Sequence, residues 1–164
     1  MAKSQGAQAN KNGKVFEEML LPVFQRAGFE IFMQGELKKK KIQKKLNACK
    51  RYVIKQATYT TIYNHKGQTE YVIVSEERRI RVEVKYQAAS GSVDEKYPYM
   101  LLNGIYQYPE NEVVFIVDGG GFKPGAKEWI KKQLDDNWLD YKSKGKDIKL
   151  MSITEFVSWF NRQF

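Results

Sequence analysis

The feature that most constrains this chain is the stretch of residues 70–87, in which two extended segments flank a charged turn. The first segment is an apolar run over residues 71–74, and the second alternates apolar and polar residues over 80–87. This pattern predicts an antiparallel β-hairpin. Because side chains alternate across a strand, the second segment has an apolar face and a polar face. The apolar face comprises Ile80, Val82 and Val84, and the polar face comprises Arg81, Glu83, Lys85 and Gln87.

The polar face brings together residue types that bind a hard divalent cation. Glu70 is predicted to open the partner strand, so pairing across the hairpin would bring its carboxylate near that of Glu83. Mg²⁺ usually takes one or two carboxylates together with substrate phosphate. A nearby lysine, here Lys85, can orient or deprotonate a bound water, as phosphodiester hydrolysis requires. The alternative interpretation is a surface hairpin with cross-strand charge pairs, because exposed strand faces are routinely charged.

The order of Glu70, twelve residues, Glu83-Val84-Lys85 and then Gln87 resembles the PD-(D/E)XK nuclease superfamily, which includes restriction-endonuclease-like and Holliday-junction-resolvase-like members. The resemblance implies that Glu70 and Glu83 bind the metal, that Lys85 assists the attacking water, and that Gln87 supports the water or the metal shell. The chain departs from the namesake motif because no Pro-Asp pair precedes the hairpin.

A first amphipathic helix is predicted from Gly13 to about Gly28, after a flexible lead-in over residues 1–12. In the resolvase-like branch such a helix opens with a glycine followed four positions on by a glutamate, and this resemblance makes Glu17 a candidate third acid. A solvent-facing glutamate favoured by the helix dipole explains Glu17 equally well, and Glu18 is an alternative to it.

Positive charge is concentrated in residues 36–51, which contribute +7 of the net charge of +9. Each lysine that neutralises a phosphate adds sequence-independent affinity, so this segment is predicted to be a basic insertion that binds nucleic acid. Apolar residues fall at helical spacing among the lysines, so a solvated helix face is compatible with the same role. The candidate contacts are Lys38, Lys39, Lys40, Lys41, Lys44 and Lys45.

The loop of residues 88–96 is predicted to lead into a second helix. Ser92 followed three positions later by Glu95 matches a capping box. Helix starts and loops of small residues also suit phosphate, so Ser90, Ser92 and Lys96 are candidate contacts to the DNA backbone. Capping alone would explain Ser92.

The remaining patterns predict strands at residues 52–63, 112–118 and 147–153, with the second of these buried on both faces. The glycine run 119–121 is interpreted as a flexible connection to a helix that begins near Lys123. Thr154 is predicted to cap a terminal helix. This order predicts an α/β fold, a restriction-endonuclease-like α/β/α sandwich around a central mixed sheet, in one domain over residues 13–164.

Composition argues against several other kinds of site. The chain has one cysteine, Cys49, and one histidine, His65, so a disulfide framework or a zinc cluster is not expected. It contains no run of about eighteen apolar residues and no signal-peptide pattern. We therefore expect no membrane partner and a cytoplasmic location, in the host cell if the protein is encoded by a phage or mobile element.

Together these features predict a magnesium-dependent endonuclease that acts on duplex or branched DNA, with Mn²⁺ as a substitute and no small-molecule cofactor. Cutting both strands with one site per chain favours a homodimer. The alternative is a nucleic-acid-binding protein that keeps the fold without cleaving. Charge and fold fit both functions, and the trio Glu70, Glu83 and Lys85 favours cleavage. The sequence does not decide between DNA and RNA, or among restriction, homing, junction-resolving and repair roles.

Overall fold

A computed structural model of the chain describes residues 15–16, 18–88 and 94–164, and within them it forms an α/β fold built on a six-stranded sheet. The strands lie across the sheet in chain order. They are β1 (Glu30–Met33), β2 (Tyr52–Thr60), β3 (Lys66–Val74), β4 (Arg79–Tyr86), β5 (Glu112–Asp118) and β6 (Asp147–Met151). β3 is antiparallel to both of its neighbours, and the other neighbouring pairs are parallel. The predicted mixed sheet is confirmed.

Helices cover both faces of this sheet. They are α1 (Leu21–Arg26), α2 (Lys40–Ala48), α3 (Tyr97–Tyr106), α4 (Pro124–Asp135) and α5 (Ile153–Gln163). α1 and α5 pack with the apolar face of β4 in one buried cluster, which includes Phe24, Phe156 and Val82. α3 and α4 pack on the opposite face of β5 in a second cluster, which includes Leu101, Ile130 and Phe115. The layers therefore agree with the predicted sandwich.

Two charged residues on the polar face of β4 are buried. Arg81 is 2% exposed and Glu83 is 6% exposed, although both are charged residues. The surface-hairpin interpretation of these charges is therefore wrong. β5 is also buried on both faces, as its continuous apolar run predicted.

The start of β3 differs from the prediction. The strand begins at Lys66, so Glu70 lies in its middle and does not open it. Residues 66–69 are polar, but they pair with the end of β2, where Lys66 lies opposite Thr60. The backbone pairing available from β2 therefore outweighs the low strand propensity of these residues. β2 itself stops at Thr60, because the backbone N–H of Thr61 bonds to the carbonyl of His65 in a tight turn.

Two helix starts also differ. α5 is capped by Ser152 and not by Thr154, because the Ser152 hydroxyl accepts from the Glu155 N–H while the Glu155 carboxylate accepts from the Ser152 N–H at 2.7 Å. This reciprocal pair is a capping box. α3 begins at Tyr97 after a short 3₁₀ turn, Asp94–Lys96, so Glu95 precedes the helix. Ser92 lies outside the described residues.

The predicted first helix is interrupted by a turn. Residues 15, 16 and 18 are helical, residues 19–20 form the turn, and α1 then begins at Leu21. The chain leaves α1 through Gly28, whose φ of +81° favours glycine. Gly13 and the predicted lead-in of residues 1–12 lie outside the described residues. Every described helix is too short or too polar to span a membrane.

The candidate site residues of β4 lie at the edge of the sheet formed by the carboxyl ends of its parallel strands. Because β3 alone runs in the opposite direction, the carboxyl ends of the other strands lie at the same edge of the sheet. Met33, Lys55, Tyr71 and Val82 form one row across four strands. Glu83 and Lys85 therefore lie just beyond this row, at the carboxyl end of β4, where open α/β sheets commonly bind ligands.

Candidate active site

Glu83 is a buried carboxylate held by partners on two sides. Its Oε2 accepts a hydrogen bond from the Tyr108 hydroxyl at 2.8 Å, and its Oε1 lies 2.5 Å from the Nζ of Lys85. Tyr108 follows α3 and is itself buried. Burying a charge is costly unless it is paired and hydrogen-bonded, and these two partners meet both conditions. They fix the position of the carboxylate near the end of β4.

The phenols beside Glu83 stay protonated at neutral pH. Burial, and then the charge of Glu83, raise the pKa of Tyr108 well above its usual 10.0. The same causes in the same order raise the pKa of Tyr59 to about 12, and its ring contacts that of Tyr108 edge-on with centroids 4.7 Å apart. Tyr108 therefore acts as a hydrogen-bond donor to Glu83. No sequence signal marks Tyr108 as a site residue, because nothing in the local pattern before Pro109 indicates a contact with β4.

Glu83 and Lys85 line a cavity of about 240 Å³ between the sheet, the β2–β3 turn and α3. Lys96, predicted to contact a DNA backbone, lines the same cavity. Two lysines therefore face a space that also contains a buried carboxylate. Positive charge exceeds negative charge in this lining, which favours phosphate oxygens. The other lining residues include Tyr59, Thr61, His65, Gln68 and Tyr99.

Glu70 lies where β3 and β4 separate. The hairpin register ends at Tyr71 and Val82, and its continuation would pair Glu70 with Glu83. Instead, the Oε2 of Glu70 accepts from the backbone N–H of Val84 at 2.6 Å. The carboxylate thus lies beside the residue that follows Glu83, although the predicted pairing across the ladder does not form.

The ladder on the other side of β3 is interrupted at the same level. Lys55 pairs with Tyr71 and Ala57 pairs with Thr69, but Gln56 and Glu70 between them do not pair. Gln56 has a left-handed φ of 54°. The register is the same on both sides of the break, so no residue is inserted and the break is confined to this one pair. Glu70 thus lies outside both ladders at the level where it bonds to the backbone of β4.

The two acids of the predicted motif line different cavities. Glu70 lines a cavity with Glu18 and Lys55, and the Nζ of Lys55 lies 3.9 Å from Glu18 Oε1. Gln68 borders both this cavity and the one that Glu83 lines. Glu17 lies outside the described residues. Glu18, the alternative candidate for a third acid, lines the same cavity as Glu70.

Gln87 anchors the loop that follows β5. Its Nε2 donates to the carbonyl oxygen of Gly121 at 2.8 Å, and the Gly121 N–H donates to the Gln87 carbonyl at 2.8 Å. Gly119 has a φ of +106°, and a side chain there would approach the Gln87 oxygen to 2.3 Å. The glycine run therefore permits close backbone packing, which the interpretation as a flexible connection missed. In the described part of the chain, Gln87 lines neither of the two cavities.

The basic segment forms α2 and the turn before it. All six lysines predicted to contact nucleic acid, Lys38 to Lys41, Lys44 and Lys45, are exposed. The segment leaves β1 just after Met33, which lies in the same sheet row as Val82. The basic segment therefore begins at the same edge of the sheet as Glu83. Ser90 and Ser92 lie outside the described residues.

A comparison with protein families bears on these residues. A model of the PD-(D/E)XK nuclease superfamily domain matches residues 8–164. The chain belongs to the PD-(D/E)XK nuclease superfamily. No curated protein and no solved structure matched it. The resemblance seen in residues 70–87 is confirmed, and membership supports a nuclease-type function on nucleic acid.

PD-(D/E)XK nucleases generally use divalent metals, and Glu83 and Glu70 offer the carboxylate oxygens that Mg²⁺ prefers. Among the described residues, no three acidic, histidine or cysteine side chains cluster. Glu83 lies near the end of β4, and Glu70 bonds to the backbone N–H of Val84 on the same strand. Two carboxylates are sufficient for Mg²⁺, which keeps several waters and binds substrate phosphate. The 2.5 Å contact between Glu83 and Lys85 also shows that this carboxylate lies against a positive charge.

Proposed function

We propose that this PD-(D/E)XK domain is a magnesium-dependent DNA endonuclease with a reaction centre at Glu83 and Lys85. The observation that carries the proposal is a buried carboxylate, fixed by Tyr108 and paired with Lys85, at the wall of a lysine-lined cavity. A charge pair with access to a cavity can exchange its partner for a ligand. An enclosed pair cannot do so without unfolding the site.

Each residue has a proposed role in hydrolysis. Glu83 and Glu70 would hold the metal, with Glu17 or Glu18 as a third acid. When bound, Mg²⁺ or Mn²⁺ stabilises developing charge on the phosphate and lowers the pKa of a water. Lys85 would orient the attacking water after leaving Glu83. Gln87 would keep the end of β4 in place through its bonds to Gly121.

The substrate is proposed to be held by charge outside the reaction centre. Lys96 would contact a phosphate in the cavity, and the exposed lysines of α2 would contact the DNA backbone alongside. Ser90 and Ser92 remain predicted backbone contacts. A homodimer would supply the second site that cleavage of both strands needs.

A nucleic-acid-binding protein that does not cleave is the second candidate. The observation that favours it is the separation of the acids, because Glu70 and Glu83 line different cavities and Lys85 lies against Glu83. In that case the lysine would complete a permanent ion pair. DNA would then bind through α2 and Lys96 without hydrolysis.

Cleavage assays on the full chain distinguish the two candidates. Supercoiled plasmid, a branched junction, a single strand and structured RNA would each be incubated with Mg²⁺ or with a chelator. We expect nicking or cutting of DNA that requires Mg²⁺. Binding without metal-dependent cleavage of any substrate would establish the second candidate, and cleavage of RNA alone would contradict the proposed substrate.

A further inference from the structure

An exposed tyrosine stands at the tip of the β2–β3 turn. Tyr63 is 70% exposed, and its ring stacks on that of Tyr99 with centroids 5.2 Å apart and planes 24° apart. The His65 ring lies on another side of it, at 6.3 Å. Single exposed aromatic residues are normal on protein surfaces. Tyr63 differs from such isolated residues in its position and in its stacking on Tyr99.

The ring lies at the rim of the Glu83–Lys85 cavity. Tyr99 and His65 both line that cavity, and Tyr63 contacts both of them. Lys85 and Lys96 line the same cavity. A phosphate drawn to these lysines would therefore bring an adjoining nucleotide towards the aromatic rings. The arrangement combines a cationic groove with an aromatic surface, which is how proteins bind single-stranded nucleic acid.

The turn that carries Tyr63 is fixed before any ligand binds. Asn103 of α3 is fully buried, and its Oδ1 accepts from the backbone N–H of Ile62 at 3.0 Å. Its Nδ2 donates to the carbonyl of Tyr99 at 2.7 Å, so one side chain ties the turn to the helix beneath it. Asn64 takes the left-handed φ of 60° that closes the turn. Ordering costs on binding are therefore small.

We propose that Tyr63, supported by Tyr99, is a stacking platform for an unpaired DNA base next to the scissile phosphate. This inference rests on the proposed function, because it assigns the substrate of the same site. Every base has a π-face, so stacking tolerates any sequence but requires a base that is free of its own duplex. The site would therefore prefer single-stranded, flapped or branched DNA over a fully paired duplex.

The test compares binding of a single strand and of the matching duplex by the full chain, in a chelator so that neither is cut. Tyr63→Ala is expected to weaken single-strand binding roughly tenfold or more. Tyr63→Phe keeps the ring and should stay within about twofold of the original chain. Tyr106→Ala is the matched control, because Tyr106 is 49% exposed at the far end of α3. Duplex affinity should change little in every variant.

A 2-aminopurine base in the single strand reports stacking directly. We expect its fluorescence to fall on binding to the original chain and to Tyr63→Phe, and to recover with Tyr63→Ala. Unchanged single-strand affinity in Tyr63→Ala, or equal losses on single strand and duplex, would overturn the platform. Thermal unfolding of each variant verifies that the fold is retained.

The two proposals fail in different ways. Tyr63-dependent binding without magnesium-dependent cleavage would support the platform and remove the nuclease reaction. Magnesium-dependent cleavage that is indifferent to Tyr63 would remove the platform and leave the reaction. A chain that binds no DNA would overturn both.

Discussion

β4 carries two buried charges on one face, and their surroundings differ. Arg81 is enclosed: its Nε lies 2.5 Å from Glu110 Oε2, and its guanidinium lies over the rings of Tyr59 and Tyr108 at 5.6 and 5.1 Å. Its Nη1 also donates to the hydroxyl of Thr69 at 2.9 Å. These contacts join β2, β3, β4 and the segment before β5. Arg81 thus stabilises the packing of the sheet.

Glu83, two residues further along, shares Tyr108 with Arg81 but differs in its other partner. Glu83 and Lys85 line the same cavity, and the Lys85 side chain is 22% exposed. The Glu110 side chain is 3% exposed, and although Glu110 borders another cavity, Arg81 lines neither of the two. A charge enclosed on all sides serves the fold, because removing its partner leaves an unpaired buried charge. A charge that faces a cavity together with its partner can bind a ligand in the partner's place. The comparison therefore separates a structural pair from a candidate reaction centre on one strand.

Glu83→Gln should have the largest effect. The amide keeps the shape of the side chain and still accepts from the Tyr108 hydroxyl, but it removes the negative charge that would hold a metal. We expect the single-turnover cleavage rate to fall by roughly a hundred- to ten-thousandfold, which is the size of effect that losing one catalytic group has. Near-normal cleavage by a correctly folded Glu83→Gln chain would remove Glu83 from the reaction.

Arg81→Met should act on stability instead. It leaves Glu110 buried without its main partner, and we expect the free energy of unfolding to fall by about 3–5 kcal/mol in urea titrations. Adding Glu110→Leu to Arg81→Met should recover much of this loss, because both charges are then absent. A single variant as stable as the original chain would show that Arg79, 3.7 Å from Glu110, suffices as its partner.

Neutralising the lysines of α2 should have a smaller effect, confined to binding. Changing Lys40, Lys41, Lys44 and Lys45 to Ser should weaken DNA binding and flatten its salt dependence, by about 0.9 in the log–log slope for each phosphate that the variant no longer neutralises. The matched control changes four other exposed lysines, Lys127, Lys131, Lys132 and Lys142. Equal losses of affinity in both variants would indicate a response to net charge and not binding through α2.

The smallest effect is expected at alkaline pH. Burial raises the pKa of Tyr59 to about 12, so as pH rises above about 10 the unfolded chain loses this proton first. The contribution of the protonated Tyr59 to the free energy of unfolding is therefore complete below about pH 10 and is lost as pH rises towards about 12. Unfolding free energies measured from pH 8 to 11 should fall at the alkaline end, and less steeply in Tyr59→Phe. An identical slope in both proteins would contradict this assignment.

Local patterns predicted much of the fold, because alternation in β4 and the apolar run of β5 are properties of consecutive residues. The cap of α5 was also available: Ser152 has a glutamate three positions later, whereas Thr154 has Val157, so the capping-box rule favours Ser152. The extension of β3 to Lys66 was not predictable from local patterns, because it depends on pairing with β2.

The candidate site was predictable in part for the same reason. The spacing of Glu83 and Lys85 on one strand puts them on one face, as the structure shows. The contact of Glu70 with Val84 depends on interruptions in two ladders, and that of Tyr108 with Glu83 joins residues on different elements. Neither leaves a periodic signal in the sequence. Tertiary packing decides both.

Lys85→Met provides the most direct test of the claim that Glu83 and Lys85 form a reaction centre. Its magnesium-dependent cleavage rate and its thermal unfolding would be measured beside those of Arg81→Met. We expect Lys85→Met to lose cleavage while its Tm falls less than that of Arg81→Met, since Glu83 faces a cavity and keeps its bond from Tyr108, whereas Arg81→Met removes the main partner of Glu110. A large fall in Tm, with cleavage per folded molecule retained, would show that Lys85 is a structural partner and contradict the claim.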